Sequence, residues 1–507
     1  MSSAAFPYRQ WLAVTLCLLV PVLCFLQWRP GFELPGARSG DEPHYLVMAY
    51  SLVHDGDLFV DDDYATPRFR DPRDRARFAA NPDAALPYQQ GLYLSGFPLS
   101  HHSNLVVDSG EFEAPAALPP LRFARWDEVY DFRESGDTNA RTLLDRFEIV
   151  RRPAYAELET RLPGPLREIA WHPPGYPILL AAAAWPAIHS GAAWTELWIV
   201  ALQIALLAAA LVCAQRLAPG ARHTRQLSSA PMIAAVGLCT AAGYYAATLY
   251  TEALTPALCL FALYALDRQR LLACSLMLGQ NYFIKERHAP HAVIFAAAAG
   301  CQAQQRAKGG LRNGVTAGLQ IAVFPALAFA LFILRNLLLY DTPFQTYYPW
   351  MTNPDILAGV LGLLGDAKTG VLVFSPVALV ALYGLRRLAR RRRTLVAVIA
   401  ASCAYFFALS AATIHWSGGP SYAYRLLVPA VAMLLPGIFA SWRARPALRR
   451  KAPRWARPGL MLAALLFWVS LVNGFFAATN LAYAYDADAY INLVEPERSG
   501  LVRRLLD

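Results

Sequence analysis

The chain has 507 residues, of which 56% are hydrophobic and 16% charged, with a formal net charge of +10. A soluble domain carries about 25% charged residues, and the deficit here is concentrated in apolar runs at 11–28, 197–212, 315–334 and 460–472. Runs of about 18–20 residues match the hydrocarbon core of a bilayer, so the sequence reads as an all-α polytopic membrane protein. The positive charge does not indicate a nucleic-acid binder. It sits in short loops at 216–225, 306–312, 386–393 and 443–457, the pattern that orients spans with basic loops toward the cytoplasm and is compatible with contacts to anionic lipid.

In chain order, residues 1–28 form an N-terminal segment and a first span. That span lacks a small-x-small cleavage site, and Val22-Leu23 before Cys24 does not suit a lipoprotein signal, so it reads as retained. Residues 29–170 form one long extracytoplasmic region, polar and rich in Pro and Gly. Strand-like stretches at 92–94 and 105–107, helical spacing over 139–150 and the aromatics Phe123, Trp126, Tyr130 and Phe132 predict a small, partly ordered mixed domain there. Residues 171–480 form the multi-helix transmembrane domain, and 481–507 a short extracytoplasmic tail. The apolar stretch 174–188 is brief for a crossing. It is re-entrant or half-length if the 216–225 loop is cytoplasmic; otherwise it crosses fully and one basic loop faces out. The count is about eleven or twelve spans.

All eight cysteines lie in or beside apolar segments, without CxxC or metal-like Cys/His spacing. They read as small packing residues; no cofactor is expected, and a divalent metal is left open without being predicted. The run Asp61-Asp62-Asp63 reads as solvated. No Walker loop, Rossmann fingerprint, zinc-protease helix or hydrolase elbow occurs.

The candidate chemistry starts at Gly40-Asp41-Glu42-Pro43-His44-Tyr45, directly after the first span. Carboxylates are costly near a bilayer and mark function there, although Asp41 followed by Pro43 also suits a helix N-terminus. Further along stand His172-Pro173-Pro174-Gly175, Glu252 in Tyr250-Thr251-Glu252, and Lys285-Glu286-Arg287-His288 between apolar runs. The charge-derived topology places the 285–288 segment outside, against the positive-inside bias. A phosphate ligand explains the exception, and an ion pair with Glu286 or Glu252 is the structural alternative. Arg425 follows His415-Trp416-Ser417-Gly418-Gly419-Pro420 and enters an apolar span, where it needs an anionic partner.

The Asp41-Glu42 pair after the first span resembles the signature of the clan C glycosyltransferases (GT-C), membrane enzymes that take a sugar from a polyprenyl-phosphate carrier. His172-Pro173-Pro174-Gly175 resembles the His-Pro-Pro-Gly of bacterial members. Glu252 resembles their Tyr-Pro-Glu, with Thr251 in place of proline. Lys285 and Arg287 resemble their basic pair, and Arg425-Leu426-Leu427-Val428-Pro429 their Arg-Tyr-Leu-Leu-Pro. Asp366-Ala367-Lys368-Thr369-Gly370 is similar to a pre-span segment of the same group. The region 71–168 has no such counterpart.

The resemblance, to enzymes of the aminoarabinose transferase and protein O-mannosyltransferase type, implies a GT-C-like fold in a bacterial inner membrane with its active site facing the periplasm or outside. It implies Asp41 as general base, Glu42 as substrate orienter, and Lys285, Arg287 and Arg425 as ligands of the carrier phosphate. Glu252, His172 and His44 are auxiliary substrate contacts. The partners are then a polyprenyl-phosphate sugar, an extracytoplasmic lipid, glycan or protein acceptor, and membrane lipids. The rival class is a transporter or flippase using Asp41, Glu42 and Arg425 as coupling charges; visible internal repeats and midplane charges would favour it.

Overall fold

The computed structural model describes residues 8–28, 42–57, 103–107, 166–170, 173–190, 195–218, 229–307, 311–340, 355–366, 369–413, 423–442 and 457–479. The elements in order are α1 (Tyr8–Trp28), α2 (Glu42–His54), β1 (Ser103–Val107), β2 (Leu166–Ala170), α3 (Gly175–His189), α4 (Thr195–Leu217), α5 (Ala230–Leu238), α6 (Ala241–Tyr245), α7 (Thr255–Asp267), α8 (Leu271–Ile284), α9 (Ala289–Ala307) and α10 (Leu311–Tyr340). They continue with α11 (Ile356–Gly365), α12 (Val371–Phe374), α13 (Val377–Ala389), α14 (Arg393–Ala411), α15 (Val428–Met433), α16 (Leu435–Trp442) and α17 (Arg457–Thr479). Three 3-10 turns, Thr251–Ala253, Glu286–His288 and Arg425–Leu427, interrupt the helices.

The protein is predominantly helical. Three described helices are long and apolar enough to cross a membrane, within Leu197–Leu217, Leu311–Leu337 and Arg393–Ala411. The pair α15–α16, bent by 44°, makes a fourth if it counts as one span.

The chain folds into two compact units, one of Met1–Gly36, Glu196–Leu331 and Thr352–Asp507, the other of Ala37–Thr195 and Phe332–Met351. In the second unit α2 packs on α3. Pro43 stands in the first turn of α2, where its missing N–H is not needed. Tyr45 of α2 meets Tyr176 of α3 edge to face at 5.1 Å, and Leu46, Met48 and Ala49 of α2 and Leu180, Ala184 and Ile188 of α3 are buried. The helix α3 has 15 residues. At 1.5 Å per residue that is about 22 Å, short of a core about 30 Å thick. β1 pairs antiparallel with β2, Ser103 opposite Ala170 and Val107 opposite Leu166. The strand-like reading of 105–107 falls on β1. Segments 92–94 and 139–150, Asp61-Asp62-Asp63 and the tail 481–507 lie outside the described residues.

In the first unit α7 and α8 form a tight helical pair, joined through Gln269, which takes the left-handed conformation at φ 58°. α7 also packs on α15, α9 on α14, and α1 on α5 and α17. Side-chain donors bridge helices: Trp11 Nε1 donates to the Ala205 carbonyl at 2.7 Å, and Ser441 Oγ to the Val380 carbonyl at 2.7 Å. α13 and α16 touch backbone to backbone at Gly384, where an added Cβ would lie 1.8 Å from the Gly437 carbonyl oxygen. Such contacts are how helices associate where lipid removes the hydrophobic drive between them.

One face of α10 carries Leu311, Val315, Leu319, Val323 and Leu327, all half or more exposed and spaced four residues apart. A continuous exposed apolar stripe of this kind suits contact with lipid.

Candidate functional site

Four residues singled out in the sequence come together in the first unit. Glu252 sits in the turn Thr251–Ala253 ahead of α7, whose first turn carries Pro256. Its side chain is fully buried. Lys285 Nζ donates to Glu252 Oε1 at 2.8 Å and Arg287 Nη2 to the same oxygen at 3.0 Å. Arg425 Nε lies 3.5 Å from Oε2, an ion pair without hydrogen-bond alignment at that nitrogen. The Thr251 hydroxyl donates to Oε2 at 3.0 Å.

Burial alone would raise the Glu252 pKa. The charges of Lys285, Arg425 and Arg287 and the Lys285 hydrogen bond outweigh it and hold the carboxyl well below the ordinary carboxylate range, so Glu252 is ionised. The ion pair of Lys285 and Arg287 with Glu252, the structural alternative read from the sequence, is present. Glu252 is the common anion of a cation cluster, accepting hydrogen bonds from Lys285, Arg287 and Thr251 and pairing by charge with Arg425.

Each cation is delivered by a break in helical structure. Lys285 ends α8 with extended backbone, φ −153° and ψ 123°, and Arg287 follows in the turn Glu286–His288. Tyr405 of α14 donates its hydroxyl to the Arg287 carbonyl at 2.6 Å and ties that turn to the bundle.

Arg425 begins the turn ahead of α15. Before it, Ala423 is held in the left-handed region at φ 49°, a strained conformation for a residue with a Cβ. The strain is held by Tyr424, whose hydroxyl accepts from Ala241 N–H at 3.0 Å and shares a hydrogen bond with Ser375 Oγ. The Arg425 guanidinium lies over the Tyr250 ring, 4.2 Å from its centre, a cation–π contact worth about 0.5–2 kcal/mol. Tyr250, Tyr405 and Tyr424 were not legible as site residues. Tyr250, adjoining Thr251-Glu252, was the one with a sequence signal.

Side-chain exposure is 19% for Lys285, 18% for Arg287 and 11% for Arg425. The cluster is therefore a partly accessible set of three cationic heads held on one buried carboxylate, an arrangement suited to a tetrahedral oxyanion.

Of the other candidates, Glu42 and His44 fall in the second unit. Asp41 and His172 lie outside the described residues. Glu42 is the first residue of α2 and His44 stands in its first turn. Pro173 and Pro174 lead directly into α3, Pro174 as its N-cap. Trp416 and the glycines Gly418 and Gly419 lie outside the described residues. Asp366 Oδ1 accepts from both the amide and the hydroxyl of Thr369, which gives that residue a turn-forming role.

One cluster was not anticipated. Cys259 of α7, His288 at the end of its turn and His291 of α9 bring their ligand atoms within 4.8 Å of one another, all three buried. The expectation of no metal-like Cys/His spacing thus missed a grouping that the fold creates. The local signal was the i, i+3 pair His288 and His291. Both His288 ring nitrogens are buried without a hydrogen-bond partner, a state that costs about 1–3 kcal/mol per unsatisfied group.

No protein-family model matches the chain, and no curated protein matches it significantly.

Proposed function

We propose that the protein is a clan C-type membrane glycosyltransferase with about eleven or twelve spans in a bacterial inner membrane, acting on the extracytoplasmic face. Its donor is a sugar linked to polyprenyl phosphate, and its acceptor a lipid, glycan or protein. The observation that carries this reading is the convergence of Lys285, Arg287 and Arg425, from distant segments, on Glu252 with their head groups partly exposed. Cations so gathered are suited to the phosphate of a lipid carrier.

In this reading the acceptor hydroxyl attacks the anomeric carbon as the bond to the carrier phosphate breaks, with inversion. Asp41 takes the hydroxyl proton, and Glu42 orients the substrate, with His44 and His172 as auxiliary contacts. Lys285, Arg287 and Arg425 hold the departing phosphate, a leaving group that needs no strong acid. Glu252 positions those cations, a refinement of the substrate contact expected for it from sequence.

The test is transfer from a radiolabelled polyprenyl-phosphate sugar by the purified full chain in lipid nanodiscs. Asp41→Asn should lower transfer by a factor on the order of 100 or more while leaving folding intact. Near-wild-type transfer by Asp41→Asn removes the base. Sugar-lipid flux in proteoliposomes with no transfer product would replace the enzyme by the transporter.

A further inference from the structure

We propose that Cys259, His288 and His291 bind one thiophilic d10 metal ion, zinc(II) or copper(I), and that this ion pins the Glu286–His288 turn and so holds Arg287 on Glu252. The proposal stands whether or not the chain transfers sugar.

The three ligand types are those that such ions select. Cys259 is a free thiol, its Sγ 4.0 Å from His291 Nδ1, and all three ligand atoms lie within 4.8 Å of one another. Bond lengths of about 2.0–2.1 Å to nitrogen and 2.3 Å to sulfur place neighbouring ligand atoms about 3.4–3.8 Å apart. A contraction of up to about 1.4 Å therefore closes the set around an ion.

The surroundings are those of a ligand set. His291 Nε2 lies 2.8 Å from Ser402 Oγ. Donation of the Nε2 proton to that hydroxyl leaves the Nδ1 lone pair directed at Cys259, the second-shell arrangement that orients metal-bound imidazoles. Asn281 Nδ2 donates to Cys259 Sγ at 3.3 Å and fixes the position of the sulfur. His288 is 1% exposed, and neither of its nitrogens has a protein partner. The ring edge-packs on Phe406 at 5.2 Å, and His291 does the same on Phe295 at 4.9 Å and Phe406 at 5.2 Å. Those aromatic walls fix both rings and exclude water from the site.

On binding, the Cys259 thiol releases its proton to solvent as the metal–sulfur bond forms, and both imidazoles bind neutral. One thiolate makes a copper(I) site electrically neutral and leaves a zinc(II) site with one positive charge. His288 adjoins Arg287, and the Arg287 carbonyl is the atom that Tyr405 holds, so an ion on His288 fixes the turn from its other end.

The experiment uses the full chain, purified in detergent with a histidine-free tag. Elemental mass spectrometry should find about one zinc or copper per chain, falling to background in Cys259→Ser and in His291→Ala. Protein stripped with chelator should take up zinc(II), or copper(I) under anaerobic reducing conditions, and the ion that returns identifies the site. X-ray absorption at the metal edge of the wild type should show one sulfur and at least two nitrogens, which keeps the test decisive if the variants fail to fold. Wild-type protein that arrives without metal and takes up neither ion overturns the proposal. So does a bound ion without sulfur in its shell, or metal content unchanged in folded Cys259→Ser and His291→Ala.

Discussion

The two ends of α7 carry carboxylates in contrasting surroundings. Glu252, just ahead of the helix, is fully buried and collects Lys285, Arg287 and Arg425. Asp267, its last residue, is 17% exposed and pairs with Arg392 at 2.6 Å and more loosely with its neighbour Arg268 at 4.0 Å, both of them partly exposed. The Asp267–Arg392 distance is as short as any at Glu252, so distance does not distinguish the two. Burial does. Away from water an ion pair is not screened, and losing one partner strands the other charges in a poor solvent. In contact with water the same pair nearly breaks even. One end of the helix is thus a fastening that the bundle depends on, and the other an exchangeable surface contact.

The sharpest way to break this contrast is Glu252→Gln. It preserves shape while leaving three cations around a neutral amide, and should cost about 3–5 kcal/mol, read as a lower unfolding temperature in detergent. An effect as small as that at a surface pair would mean that water reaches the cluster.

Arg425→Ala tests whether the cluster serves a ligand as well as the fold. It should weaken binding of polyprenyl phosphate by about 2–5 kcal/mol, measured by native mass spectrometry on folded protein. Arg425→Lys should recover part of that, because it keeps the charge and loses the planar fork. Unchanged affinity in a destabilised Arg425→Ala would reduce Arg425 to a structural ion-pair partner.

The acid side of the pH–stability profile offers a third test. The folded-state pKa of Glu252 is held well below its ordinary value of 4.5. Its contribution is therefore complete above that value and lost as pH falls through the depressed one. Unfolding scans from pH 7 downward should show an acid limb in the wild type that Glu252→Gln lacks. Parallel profiles for the two would show that Glu252 has the same pKa folded and unfolded.

The smallest effect belongs to Asp267→Asn, at about 0–1 kcal/mol, with a further decrease at high salt. A loss as large as that of Glu252→Gln would place Asp267 in a dry environment and remove the distinction between the ends of α7.

The membrane character was legible in the sequence because burial in lipid is a property of each segment separately. The run at 197–212 falls within α4 and that at 315–334 within α10, and the brief apolar stretch 174–188 falls on the 15 residues of α3. Glu252, Lys285, Arg287 and Arg425 were legible as candidates because charged residues at the edges of apolar runs need a reason to be there.

Among the meetings the sequence left open, the pairing of Lys285 and Arg287 with Glu252 included, the tertiary structure decided which form. The sequence left the anionic partner of Arg425 open, and the fold supplies Glu252. Lys285 and Arg287 reach that carboxylate across 33 and 35 residues of chain, through the α7–α8 pair. The Cys259–His291 approach spans 32 residues of the same pair and the start of α9. No local pattern encodes such meetings. Transfer free energy, helix breaks and caps are set by residues close in sequence, whereas convergence depends on how helices pack and which small residues let their backbones approach. The chain by itself therefore determined its solvent and its polar exceptions, and helix packing determined which of those exceptions became one site.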